Sequence, residues 1–104
     1  MTSLDPRETA FENKYAHDQE TLFRIESKAS KLLGLWAAQE MGLTGADADA
    51  YAGTVVASNL KEAGVGDVIA KVSADMAAKS RDTSAIPAMM TRFLKDAEAQ
   101  IKTA

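Results

Sequence analysis

Few side chains in this sequence could carry out chemistry. The chain has one histidine, His17, and no cysteine, which excludes disulfide bonds and thiolate metal sites. Acid–base catalysis needs carboxylates that face each other, but Asp47 and Asp49 occupy alternate positions of a predicted helix and point apart. The sequence contains no phosphate-binding loop, no nucleophile elbow and no zinc-protease motif. We therefore predict that the protein is not an enzyme and requires no metal or cofactor.

His17 has two interpretations. Because imidazole changes its charge near neutral pH, this residue could be a switch that docks or frees the segment around it. Alternatively it is an exposed helical histidine, since one exposed site supplies only a fraction of the free energy that a switch needs.

Four residues could bind a ligand. Trp36 could stack on a purine ring, and the side chains that could hold phosphate as point charges are Lys28, Lys31 and Lys71. The competing interpretation places Trp36 in the core, where a tryptophan on an apolar stripe belongs. It leaves the three lysines as solvated surface residues.

Charge and hydropathy exclude several classes of protein. The formal net charge is −3 and the pI is about 5.1, whereas general nucleic-acid binding requires a concentrated basic surface. No apolar run approaches the roughly 20 residues of a membrane span, and the first residues lack the apolar centre of a signal peptide. We expect a soluble cytoplasmic protein without direct membrane insertion.

Composition favours helices. The hydrophobic fraction is 46%, and twenty of the 104 residues are alanine, which buries little area but favours helix strongly. The length fits one domain with a modest core. We predict an all-α fold, a four-helix bundle with a long first helix and a flexible N-terminal arm.

The first helix is predicted to begin at Asp5 and Pro6, a capping residue followed by a proline. It should end at Met41 and Gly42. Its apolar stripe comprises Phe11, Tyr15, Leu22, Ile25, Ala29, Leu32 and Trp36. The densest apolar cluster is 32–38, and we take it as the centre of the core. A glycine inside a helix costs about 1 kcal/mol against alanine, so Gly34 should permit another helix or a ligand to approach closely.

The two halves of this helix differ. Up to Glu20 the segment is mostly polar and acidic, with Phe11 and Tyr15 as its large apolar anchors, whereas the residues after Thr21 are apolar enough to bury a wide face. A helix with a thin apolar face is marginal alone. We therefore predict that residues 1–18 form a flexible segment that folds on a partner, and that residues 19–104 form the bundle. A plain unstructured terminus is the alternative.

Three shorter helices follow. Thr44 should cap the second, whose inner stripe is Tyr51, Val55, Val56 and Leu60, and which should stop by Ala63 and Gly64. Gly66 opens the third, with Val68, Ile69, Val72 and Met76 inward and Lys71, Asp75 and Lys79 outward. Ser84 should cap the fourth, with Pro87 in its first turn and an inner stripe of Ile86, Met90, Phe93, Ala97 and Ile101.

Two motifs resemble a known family. Residues 7–18 follow the pattern R-E-x-A-x-E-x-K-[FY]-A-x-D, and residues 32–38 follow L-L-G-x-W-A-A. Together they closely resemble the zeta subunit, the ATPase-inhibitor protein of α-proteobacterial F-type ATP synthases. Later segments are similar to the same family, namely 51–52, 55–56, 62–64, 67–68, 71–72 and 74–75, so the resemblance runs almost from end to end.

The resemblance implies a regulatory inhibitor of ATP hydrolysis, peripheral to the membrane-bound synthase. Its N-terminal segment would insert into a catalytic interface of the catalytic head. The inhibitory contacts would fall on Arg7, Glu8, Phe11, Glu12, Lys14, Tyr15 and Asp18. The resemblance also implies that ADP or ATP binds the bundle as a regulatory ligand. Two other hypotheses stay open, a small nucleotide-sensing bundle and a generic helical adaptor for another partner.

Overall fold

A computed structural model describes residues 19–59 and 64–103 of the chain. It contains four helices, which we number in chain order: α1 Gln19–Glu40, α2 Gly45–Asn59, α3 Gly66–Ala78 and α4 Ile86–Thr103. No strand occurs in these two ranges, and α1 is the longest helix. The predicted all-α, four-helix architecture is confirmed. The predicted helix start at Asp5 and Pro6 and the predicted N-terminal arm lie outside the described residues.

The end of α1 is where the sequence predicts it. Gly42 adopts a left-handed conformation with a φ of 82°. Its N–H donates to the Gln39 carbonyl at 3.1 Å, and the Leu43 N–H donates to the Ala38 carbonyl at 2.8 Å. This pair of bonds satisfies carbonyls that a helix end leaves unpaired. It also reverses the chain, so that α2 returns along α1.

The other helix boundaries agree closely with the predictions. α2 begins directly after Thr44, whose carbonyl accepts the Asp47 N–H at 3.1 Å. α3 begins at Gly66 as predicted, and Pro87 is the second residue of α4 and so lies in its first turn. α4 begins two residues after Ser84, whose N–H donates to Asp82 Oδ1 at 2.9 Å. α2 is described to Asn59, short of the predicted limit at residues 63–64.

The core is one cluster to which all four helices contribute. Its buried members are Ile25, Ala29, Leu33, Ala37, Met41, Val55, Val68, Val72, Met76, Ile86, Met90 and Ala97. The inner stripes predicted for α3 and α4 are confirmed, with Ile69, Phe93 and Ile101 packed against the cluster from its edge. Trp36 is half-buried against the same cluster.

Close contact between α1 and α2 depends on Gly34. A Cβ atom at this position would lie 2.8 Å from the Ala52 Cα and 3.2 Å from the Val55 Cβ. Such distances leave no room for a methyl group, so only glycine allows the two backbones to approach this closely. Of the two alternatives that the sequence left open for Gly34, another helix is the correct one.

The amino-terminal end of α1 departs from the prediction. Leu22 belongs to the predicted apolar stripe, and Phe23 lies in the segment that was expected to bury a wide face, but the two residues are 39% and 45% exposed. At about 100° per residue, Phe23 lies roughly 160° around the helix from the buried Ile25. It therefore cannot face the same neighbours. Among the described helices, none is long and apolar enough to cross a membrane.

Candidate functional site

A group of three polar side chains joins α2 to α3. The Tyr51 hydroxyl donates a hydrogen bond to Asp75 Oδ2 at 2.8 Å. Lys71 Nζ donates to the same oxygen at 3.0 Å and lies 5.4 Å from the centre of the Tyr51 ring. Tyr51, Lys71 and Asp75 thus form one contact group, which we call the Tyr51 cluster.

The positions of Lys71 and Asp75 differ from those that the sequence predicts. Both were placed on the outward face of α3, yet both residues are half-buried. Their spacing of four residues brings them together on one helix face, and Tyr51 from α2 lies against that face. Lys79, the third residue of the predicted outward set, is exposed as expected.

Burial and hydrogen bonding shift two pKa values in the cluster. Partial burial raises the pKa of Tyr51, and its hydrogen bond to the Asp75 carboxylate raises it further. Partial burial opposes ionisation of Asp75, but the hydrogen bonds from Lys71 and Tyr51 outweigh it, so the pKa of this carboxyl lies below its ordinary value. At neutral pH the cluster therefore contains a neutral phenol that donates to an ionised carboxylate.

Two open clefts adjoin the cluster. The first has a volume of about 400 Å³ and combines the apolar side chains of Met41 and Leu43 with Tyr51, Lys71 and Asp75. The second, of about 570 Å³, is lined by Thr54, Ala57, Ser58, Asp67 and Lys71. Thr54 and Lys71 line both clefts, so the ammonium group lies between an apolar cleft and a more polar one. Such a surface could hold a small ligand with a flat ring and an anionic group.

Of the four predicted nucleotide-binding residues, one lies on this surface. Lys71 lines both clefts, whereas Lys28, Lys31 and Trp36 line neither. Lys28 and Lys31 are exposed on α1. Helical spacing places Trp36 about 140° around α1 from Lys31. The fold thus brings together Lys71, Tyr51 and Asp75 rather than the predicted set of four.

The predicted inhibitory residues and His17 lie outside the described residues. Within the described ranges no group of three or more metal-ligating side chains could hold a metal ion. Sequence reasoning missed the role of Tyr51 as a partner of Asp75. The four-residue spacing of Lys71 and Asp75 was visible as a signal, but Tyr51 is 24 residues away from Asp75 in the chain, and only the packing of α2 on α3 brings it near.

Comparison with known proteins shows to which family the chain belongs. A search of curated protein sequences found no match. A family model described as ATPase inhibitor subunit zeta matches residues 1–100, nearly all of the 104 residues. The match agrees with the resemblance that the motifs in 7–18 and 32–38 indicated, and it describes a regulatory protein rather than an enzyme. The chain therefore belongs to the ATPase inhibitor subunit zeta family.

Proposed function

We propose that this protein inhibits ATP hydrolysis by an F-type ATP synthase by inserting residues 1–18 into a catalytic interface of the catalytic head. The observation that carries the proposal is the extent of the family match, which begins at residue 1 and so includes this segment as well as the bundle. The contacts would be made by Arg7, Glu8, Phe11, Glu12, Lys14, Tyr15 and Asp18.

The mechanism follows from differential affinity. A catalytic interface must open and close during each hydrolytic cycle. A segment that binds one of these states more tightly than the other shifts the population towards it and stalls the cycle. Phe11 and Tyr15 supply large apolar anchors for such binding, and the acidic residues around them limit the stability of the free segment.

The bundle would limit how far residues 1–18 can enter the catalytic interface. A single α-helix with its side chains is about 10–12 Å wide, whereas the Cα atoms of this chain span 26 × 23 Å across its long axis. A groove that admits one helix would therefore not admit the bundle. We further propose that the protein acts in the cytoplasm, peripheral to the membrane-bound synthase.

Deletion of residues 1–18 tests the proposal. Among the described residues, the buried core residue nearest the amino terminus is Ile25, so the truncated chain keeps every described member of the core cluster and should fold. We expect the full-length protein to inhibit hydrolysis by the matching catalytic head and the truncated protein to lose inhibition. Thermal denaturation controls for folding. Equal inhibition by both forms would show that the segment is not the inhibitory element.

A narrower control uses point variants. Phe11→Ala combined with Tyr15→Ala should weaken inhibition strongly, because both large apolar anchors are removed. Thr9→Ala in the same segment removes no large apolar or charged group and should leave inhibition close to the wild-type level. If the two proteins inhibit alike, the anchors do not carry binding.

A second proposed activity is the binding of ADP or ATP by the bundle as a regulatory ligand. The clefts beside the Tyr51 cluster favour it, since an aromatic ring and an ammonium group adjoin an apolar wall there. Titration with ADP, followed by Trp36 fluorescence and backbone amide shifts, tests it. Lys71→Met should abolish the response if the cleft is the site, whereas Lys28→Met and Lys31→Met test the remaining predicted lysines. A flat titration at millimolar ADP would exclude nucleotide sensing.

The adaptor hypothesis has a separate readout. Affinity purification of the tagged full-length protein should recover subunits of the ATP synthase catalytic head. Recovery of a different partner without those subunits would favour the adaptor role.

A further inference from the structure

The amino-terminal end of α1 carries an exposed apolar pair. Among the residues that the structure describes, Leu22 and Phe23 are the large hydrophobic side chains that remain exposed. Scattered single apolar residues on a surface are ordinary, but adjacent large ones mark a potential contact surface. We call these two residues the apolar pair.

The register of α1 against α2 places this pair beyond the described part of α2. Gly34 contacts Ala52 and Val55, and the tight turn after α1 makes the two helices antiparallel. Since α2 is described only to Asn59, its last turn lies level with about residues 28–30 of α1 at an equal rise per residue. Phe23 lies roughly two turns further along α1 than the last described residue of α2.

The angular positions of the two residues around α1 determine the surface that they form. At about 100° per residue, Leu22 lies roughly 60° from the buried Ile25, and Phe23 lies roughly a further 100° on. The apolar strip that begins in the core therefore widens onto the surface at this end. Glu20 and Arg24 form a salt bridge of 3.1 Å beside Phe23, and both side chains are exposed. An apolar centre with a charged edge is the usual anatomy of a protein interface.

The position of the apolar pair in the chain indicates which partner would contact it. Residues 1–18 directly precede α1, which begins at Gln19, and the match to an inhibitor family spans both sides of this junction. Phe23 is five residues from Asp18, at most about 18 Å of chain in any conformation. A partner that holds residues 1–18 is therefore within reach of the pair.

We infer that Leu22 and Phe23 continue the partner-binding surface of residues 1–18 onto the folded bundle and dock into an apolar groove of the ATPase catalytic head. The inference rests on the proposed function. The docking mode is an amphipathic helix in a groove, in which a few large apolar side chains supply most of the affinity. Because the pair lies on a helix that the core already holds, its docking costs less conformational entropy than folding of a free segment.

The test compares apolar-to-serine variants of α1 in the full-length protein. Phe23→Ser should raise the concentration needed for half-maximal inhibition of the catalytic head by about tenfold or more, and Leu22→Ser by less. Leu35→Ser is the matched control, because Leu35 is half-buried on the same helix, outside the core cluster and far from the pair. It should change inhibition by less than about twofold. Thermal melts establish that all three variants fold.

The outcomes separate this inference from the proposed function. If truncation of residues 1–18 abolishes inhibition while Phe23→Ser inhibits like the wild type, the pair does not contact the head and only this inference fails. If truncation has no effect, the proposed function fails as well. Two further outcomes would overturn the inference. A change in the sedimentation behaviour of Phe23→Ser would show that the apolar pair mediates contacts between copies of this chain. Altered amide signals of residues 1–18 in the free variant would show that the apolar pair contacts residues 1–18 of the same chain.

Discussion

The two ends of α1 contrast in how they are covered. The carboxyl-terminal end buries Leu33, Gly34 and Ala37 completely or nearly so between α2 and α4, and its backbone contacts Ala52 directly. The amino-terminal end leaves Leu22 and Phe23 exposed, beside an exposed salt bridge. The same helix is therefore closely packed at one end and only partly covered at the other.

This difference teaches that apolar residues in one helix can have separate purposes. At the packed end they stabilise the fold, because burial removes apolar area from water. At the amino-terminal end comparable side chains contribute little to stability while exposed, and we propose that they contact a partner instead. Stability measurements and inhibition assays should therefore respond to opposite ends of α1.

The largest expected effect is the loss of stability when the buried leucine of α1 is truncated, compared with the exposed one. Leu33→Ala should lower the free energy of unfolding by about 2–5 kcal/mol, because Leu33 is fully buried and its loss leaves a cavity. Leu22→Ala, the same change on the same helix, should cost about 1 kcal/mol or less. Urea denaturation of both variants measures the difference. Similar losses would show that the amino-terminal end is packed as firmly as the core.

A pair of glycine substitutions should have effects of opposite sign. Gly34→Ala places a methyl group 2.8 Å from the Ala52 Cα, so the helices must separate, at a cost of about 1–3 kcal/mol. Gly53→Ala is the matched control, since a Cβ there meets nothing within 4 Å. It should stabilise α2 by up to about 1 kcal/mol. Thermal melts report both signs, and stabilisation by Gly34→Ala would contradict the close contact.

The Tyr51 cluster should contribute less than the core. Tyr51→Phe removes the hydroxyl that donates to Asp75 but keeps the ring beside Lys71. We expect a loss of about 0.5–1.5 kcal/mol, typical of one hydrogen bond, measured by urea denaturation. Thr54→Ala is the control, because its hydroxyl bonds only to a backbone carbonyl of its own helix at an exposed position. A larger loss than for Leu33→Ala would place the main stabilising contact between α2 and α3 rather than in the core.

The smallest expected effect depends on pH. The pKa of Asp75 is lower in the folded chain than its ordinary value, so near pH 4 and below the unfolded chain binds more protons than the folded one. The stabilisation by Asp75 is therefore fully present above its ordinary pKa and is lost as the pH falls through the folded pKa. The stability difference between the wild type and Asp75→Asn should shrink on acidification. Urea denaturation at pH 7 and at pH 3 measures it, and a constant difference would contradict the assignment.

The sequence by itself determined the helices and the family. Alanine content and apolar periodicity predict four helices because helical propensity and the 3.6-residue period are local properties. Gly42 and Gly66 mark boundaries for similarly local reasons. The motifs in 7–18 and 32–38 indicated the inhibitor family, which the family model then matched. Gly34 was recognised as a close contact because a glycine inside a helix is unfavourable without one.

The tertiary structure alone decided which faces are covered. Lys71 and Asp75 were predicted to point outward, but Tyr51 covers them from α2, although it is 24 residues away from Asp75 in the chain. Leu22 belongs to the predicted apolar stripe, yet it is exposed and lies beyond the described part of α2. In both cases periodicity defines the side of one helix on which a residue lies. Whether a neighbouring helix is long enough, and close enough, to cover that side depends on non-local packing.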